Sequence, residues 1–242
     1  MHDKSYLSDS SYTRRKVINI IFICSGNTCR SYIAEAVATH LLKTVYTKKY
    51  PALKDRIIIS SAGTSVSLKD IPLNTLKVLD FFEIPNIRFK PKPADRKIIK
   101  NSDLIITMAT THRRKLIADF PEADITRIFN LLELSNIILY LQSEEIFKRS
   151  AVFKNTGQAT RNKQLKEFFN DIANVSISAA RSVTAERIRQ KIRIIKEARS
   201  ISIINPAVIE VDDPFDSSID VYTRVAKLIK ENIITIFDYL FS

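Results

Sequence analysis

Tryptophan, cysteine and glycine are the scarce residues of this sequence: none, two and three among 242. Each scarcity narrows the reading. Two cysteines only five positions apart, in a chain with no signal-peptide pattern, place it in a reducing compartment, the cytoplasm. Long hydrophobic runs are missing too. None approaches the roughly 18 to 20 apolar residues that cross a bilayer, so no membrane span is expected. The stretch 1–16 has no apolar centre and reads as a disordered extension. At about 100–200 residues per domain, the length allows one domain, or one domain carrying a large insertion.

Charge is abundant and uneven. The formal net charge is +12, yet thirteen Lys and Arg against four acids fall between Lys148 and Arg199, so +9 of it belongs to one segment. The rest of the chain is close to balanced, and no nucleic-acid partner is expected of it. The basic segment reads as a helical insertion whose charged side faces outward. There it is a plain solvated face, or a docking surface or lid for an acidic partner.

What is present is concentrated in Ile20-Ile21-Phe22-Ile23-Cys24-Ser25-Gly26-Asn27-Thr28-Cys29-Arg30-Ser31. An apolar, β-branched run breaks into a short polar loop, after which Ile33, Ala34, Val37 and Leu41 recur at helical spacing. The order is strand, tight loop, helix, and it leaves Cys24 facing a helix N-terminus. The first turn of a helix has free N–H donors and a positive dipole end, which together form an anion site. Thiols held there, or beside Arg, ionise more readily and become nucleophiles. Arg30 offers a planar fork of donors to two phosphoryl oxygens. Gly26 and Asn27 tolerate left-handed backbone, and the Ser31 hydroxyl can donate to the sulfur. The plain alternative, a small buried cysteine with an arginine nearby by chance, leaves the Gly-Asn pair and Ser31 unexplained.

Cys24-Ser25-Gly26-Asn27-Thr28-Cys29-Arg30-Ser31 resembles the signature of the low-molecular-weight protein tyrosine phosphatase family. The resemblance implies a cysteinyl-phosphate mechanism without metal or other cofactor, acting on phosphorylated proteins. In it Cys24 is the nucleophile, and the loop from Ser25 to Ser31, Arg30 above all, binds the phosphate. It further implies a distant Asp-Pro whose Asp is the general acid, and Asp213-Pro214 supplies it. Asp212 is the rival carboxylate, but the residue before Pro is the match. Ser61-Ala62-Gly63-Thr64 matches the segment that walls one side of the family's site. Cys29 resembles the second cysteine of a reversible redox pair; the alternative is a small buried thiol. The family's usual Pro after Arg-Ser is Tyr32 here, which would place a ring near the pocket rim. His112, a lone histidine, reads as structural. The related arsenate reductases need further downstream cysteines, which this chain lacks.

The fold implied is α/β, a four-stranded doubly wound parallel sheet with an inserted helical subdomain. Strands are expected at Val17 to Ile23, Arg56 to Ser61, Asp103 to Met108 and Ile125 to Phe129, with helices at about Leu73 to Phe82 and Thr111 to Phe120. The phosphatase domain is read over 17–139 and 207–242, with the basic helical insertion at 140–206. Within that insertion Leu165, Phe168, Phe169 and Ile172 share one helix face, and Ala185, Ile188, Ile192 and Ile195 another.

Thr28 and Phe215 are the expected specificity residues. Thr28 and the run Asp213-Pro214-Phe215-Asp216-Ser217-Ser218-Ile219-Asp220-Val221-Tyr222 are more similar to the protein-arginine phosphatase branch; tyrosine phosphatases of the family usually carry a bulky aliphatic residue at the Thr28 position and often two aromatics after Asp-Pro. A phosphoguanidinium has N–H donors needing acceptors, whereas a phenyl ring wants apolar walls. Phosphoarginine is the expected substrate and phosphotyrosine the alternative. A third reading is a phosphatase-fold binding protein that recruits an acidic partner through its insertion.

Overall fold

Ile18–Cys24 is apolar at all but one position, and it forms β1, an inner strand with a neighbour on each side. The computed structural model describes residues 17–85, 89–149, 183–201 and 210–242. The expected extension 1–16 and much of 140–206, including Leu165, Phe168, Phe169 and Ile172, lie outside the described residues. β2 (Ile57–Gly63), β3 (Leu104–Thr107) and β4 (Ile128–Asn130) complete a parallel sheet in the order β2-β1-β3-β4. Register brings Cys24 beside Gly63 and Ile23 beside Thr107, so three strand ends meet at one edge.

Parallel strands need crossovers, and helices supply them on both faces. Among the described residues those of six or more residues are α1 (Arg30–Leu41), α2 (Leu73–Phe81), α3 (Arg96–Asn101), α4 (Thr110–Asp119), α5 (Leu131–Arg149), α6 (Ala185–Ile201) and α7 (Ile219–Phe241). Alternation along the strands divides the core. Ile18, Ile20 and Phe22 of β1 and Leu104 and Ile106 of β3 pack with α1, α5, α6 and α7 on one face. Ile21, Ile23 and Ile105 pack with Ile99 of α3 and Leu116 of α4 on the other.

Several boundaries differ from the sequence reading, each for a local reason. The expected fourth strand starts late, because the Asp124 carboxylate accepts the Thr126 N–H and holds Ile125–Arg127 in a 3-10 turn. α3 is an unanticipated helix, capped by the Asp95 side chain on Ile98 N–H. β2 is an edge strand, and its Ile58 is exposed. Among the described residues no helix is long and apolar enough to cross a membrane.

The basic segment also departs from expectation. Ala185, Ile188, Ile192 and Ile195 are buried along one face of α6, in the same core as β1. The charged side does not simply face outward. Arg189 donates to the Val17 carbonyl (3.0 Å) and pairs with Asp103, and Lys191 Nζ donates to the carbonyls of Tyr239 (2.5 Å) and Ser242 (2.7 Å). Arg199 pairs with Glu133 (2.6 Å) and donates to the Ile128 carbonyl (3.0 Å). The reason is physical: edge strand β4 and the end of α7 leave carbonyls without ladder or helix partners, and long cationic side chains satisfy them.

Candidate active site

The site begins where β1 ends. Cys24 is the strand's last residue, and α1 starts at Arg30 with no side chain among the described residues capping its first turn. Between them the loop is held from outside. Thr64 N–H donates to the Cys24 carbonyl (2.9 Å), and Ser65 N–H to the Ser25 carbonyl (3.0 Å). In a trans peptide the C=O and the following N–H point opposite ways, so the amides of Ser25 and Gly26 turn away from that wall and into the loop. The Thr75 hydroxyl holds the Thr28 carbonyl in the same manner (3.2 Å), which turns the Cys29 amide inward. Inward amides at a helix N-terminus form an anion cradle.

Asn27 has φ 57°, the left-handed region that Asn tolerates. Its orientation follows from its partners. Lys92 N–H can only donate and lies 3.0 Å from Oδ1, so Nδ2 faces Ser31 Oγ (3.0 Å) and Ser61 Oγ (2.7 Å). Ser31 thus accepts from Asn27 and has its own proton free for Cys24 Sγ, 2.9 Å away. The Ser61 hydroxyl donates to Glu35 (2.5 Å), a carboxyl whose pKa burial raises above its ordinary value. A chain of hydrogen bonds from Glu35 to the sulfur therefore fixes the loop. Gly63 makes the close approach of β2 possible: a Cβ there would lie 2.4 Å from the Ser25 carbonyl oxygen.

Arg30 is buried and lines the pocket with Cys24, Thr28, Ser65, Leu68 and Asp213. Its guanidinium donates to the Val211 carbonyl (3.1 Å) and to Asp213, while Nε has no partner among the described residues. Asp213, and not Asp212, is the carboxylate that meets Arg30. Phe215 N–H turns back onto Asp213 (3.2 Å), and Phe215 lines the pocket as well.

All the residues singled out in the loop therefore gather with Asp213 and Phe215 around one pocket, with Asn27 and Ser31 buried behind it. Cys29 is a buried free thiol whose Sγ lies 3.4 Å from Tyr222 Oη on α7. Tyr32 corrects an expectation: its ring is buried and stacked on Phe89 at 3.9 Å, away from the rim, because an aromatic at the third position of α1 finds an apolar partner there. His112, read as structural, reaches the loop: its Nε2 lies 2.9 Å from Ser25 Oγ. Burial first, and then the Arg30 cation, lower its pKa to about 4, against the opposing pull of Asp213 and Glu210. Its signal was position: it follows a parallel strand at the sheet edge where sites form. Glu35 and Thr75 were also missed, because hydrogen bonds across 26 and 47 positions leave no local pattern.

Among the described residues no three His, Cys, Asp or Glu side chains converge to hold a metal ion. The comparisons agree on the kind of chain this is. Residues 19–137 match the family model described as low molecular weight phosphotyrosine protein phosphatase. The low molecular weight protein-tyrosine-phosphatase PtpB of Staphylococcus haemolyticus is 31% identical over 116 residues, 48% of this chain and 73% of that protein. A low molecular weight phosphotyrosine phosphatase of Vibrio cholerae O395 shares the fold with TM-score 0.56 at 16% identity, covering 91% of this chain and 95% of that one. The YwlE arginine phosphatase of Geobacillus stearothermophilus does so with TM-score 0.51 at 17% identity, covering 91% of each. At those identities the two structures speak for the fold alone.

Proposed function

Because the chain belongs to the low molecular weight phosphotyrosine protein phosphatase family, hydrolases that act through a cysteine, we propose that it dephosphorylates protein side chains, with phosphoarginine as the substrate. The observation that carries the reading is the meeting of Cys24, Arg30 and Asp213 in one pocket over inward-facing amides.

Cys24 attacks phosphorus as a thiolate, and an S–P bond forms as the bond to the leaving nitrogen breaks. The electron pair goes to that nitrogen, which takes a proton from Asp213. Arg30 and the loop amides carry the charge on the equatorial oxygens. Asp213, now a carboxylate, takes a proton from water as its oxygen attacks phosphorus. The S–P bond breaks, the thiolate is restored and inorganic phosphate leaves. Reduced thiols are needed throughout, which suits a cytoplasmic enzyme.

The hydroxyls of Thr28, Ser65 and Ser67 line the pocket and are acceptors for guanidinium N–H groups. Leu68 and Phe215 line it as well, and these apolar walls favour the second reading, phosphotyrosine. Recruitment of an acidic partner by 140–206 draws on fewer charges than the sequence suggests, since Arg189, Lys191 and Arg199 are engaged within the fold. Steady-state turnover of matched phosphoarginine and phosphotyrosine peptides tests the choice. Faster Cys24-dependent release from phosphoarginine is expected; the reverse order transfers the assignment to tyrosine, and no release from either overturns both.

A further inference from the structure

The proposed chemistry leaves His112 unused. We propose that His112 is a positioning residue that holds Ser25 so that the loop amides converge on the bound phosphoryl oxygens. The inference rests on the pocket being a phosphate site. Ser25 is gripped at two points: its carbonyl by Ser65 N–H (3.0 Å) and its hydroxyl by His112 Nε2 (2.9 Å). The imidazole is 4% exposed, and its Nδ1 is buried without a partner, so Ser25 is the group it holds among the described residues. A residue present only to fill space would be apolar, because a buried ring nitrogen without a partner is costly.

The backbone around His112 gives the grip a fixed base. Met108 N–H donates to the Ile23 carbonyl (2.9 Å), one residue before the nucleophile. Val211 N–H donates to the Met108 carbonyl (2.8 Å), and Thr110 N–H to Glu210 (3.0 Å), both on the approach to Asp213. The start of α4 thereby touches the nucleophile's strand, the acid's loop and, through His112, the phosphate loop. Arg30, Asp213 and Glu210 are the charged groups around the ring, and a neutral imidazole among them holds Ser25 without competing for the anion.

Calorimetric titration of the full chain with inorganic phosphate, with melting temperatures measured alongside, tests this. His112→Leu is expected to weaken phosphate binding about tenfold, and His112→Gln, which keeps a polar partner for Ser25, to restore most of it. Ser25→Ala, which leaves the core intact, should weaken binding as His112→Leu does, with no further loss in the double variant. Ser25→Ala binding phosphate like the wild type would overturn the proposal, as would a His112→Gln as weak as His112→Leu at equal melting temperature. A wild type that binds no phosphate would overturn the phosphate-site reading along with it.

Discussion

Arg30 and Asp213 meet across the pocket, Nη2 to Oδ2, although 183 positions of chain separate them. The guanidinium side chain is 7% exposed and the carboxylate 52%, so the cation sits inside and the acid on the pocket's open side. On the proposed function, a phosphoryl group entering the loop would compete with Asp213 for Arg30, and its arrival would free the acid to face the leaving group.

Asp213→Asn should therefore separate binding from turnover. Turnover is expected to fall by roughly 10²- to 10⁴-fold, the contribution of a placed general acid. Phosphate affinity should stay equal or tighten. Calorimetry showing weaker phosphate binding in the variant would mean that Asp213 does not compete for Arg30.

Thr28→Ile removes a hydroxyl from the pocket and adds an apolar wall. The ratio of kcat/KM for phosphoarginine over phosphotyrosine peptides should drop at least about tenfold, since a guanidinium N–H left without an acceptor is penalised more than a missing methylene. An unchanged ratio would remove Thr28 from the specificity set.

Gly63→Ala and Gly26→Ala should differ sharply. At Gly63 the added Cβ meets backbone at 2.4 Å, whereas at Gly26 its nearest neighbour is the Thr28 hydroxyl at 3.3 Å. Forced overpacking costs about 1–3 kcal/mol, so Gly63→Ala should lower both the melting temperature and turnover. Denaturation curves in which the two variants match would contradict the close approach of β2 to the loop.

Acid should destabilise the protein through His112. Its folded pKa, about 4, lies below the ordinary value of 6.5, so the unfolded chain binds the proton first. Stability is fully present above pH 6.5 and is lost as pH falls from there toward 4. Melting curves across that window should show a shallower loss in His112→Gln.

Much of this was legible because its causes are local. Strand, loop and helix are written in consecutive residues from Ile20 to Leu41, and Gly63 stands out in a chain with three glycines. The direction of the basic side chains of α6 was not legible, because it depends on carbonyls of β4 and α7 that only the assembled sheet leaves open. His112 was legible only by its position after a parallel strand; its partner, Ser25, lies 87 positions away and leaves no local pattern.

Since Thr64 and Ser65 hold back the carbonyls of Cys24 and Ser25, peeling of the edge strand and filling of the phosphate loop are linked equilibria. A fluctuation that releases β2 scrambles the inward amides, and an anion seated on them opposes the release by RT ln(1 + [L]/Kd). On the proposed function, product phosphate would act as a clasp on the sheet's open margin, and the occupied enzyme would be the better-folded one.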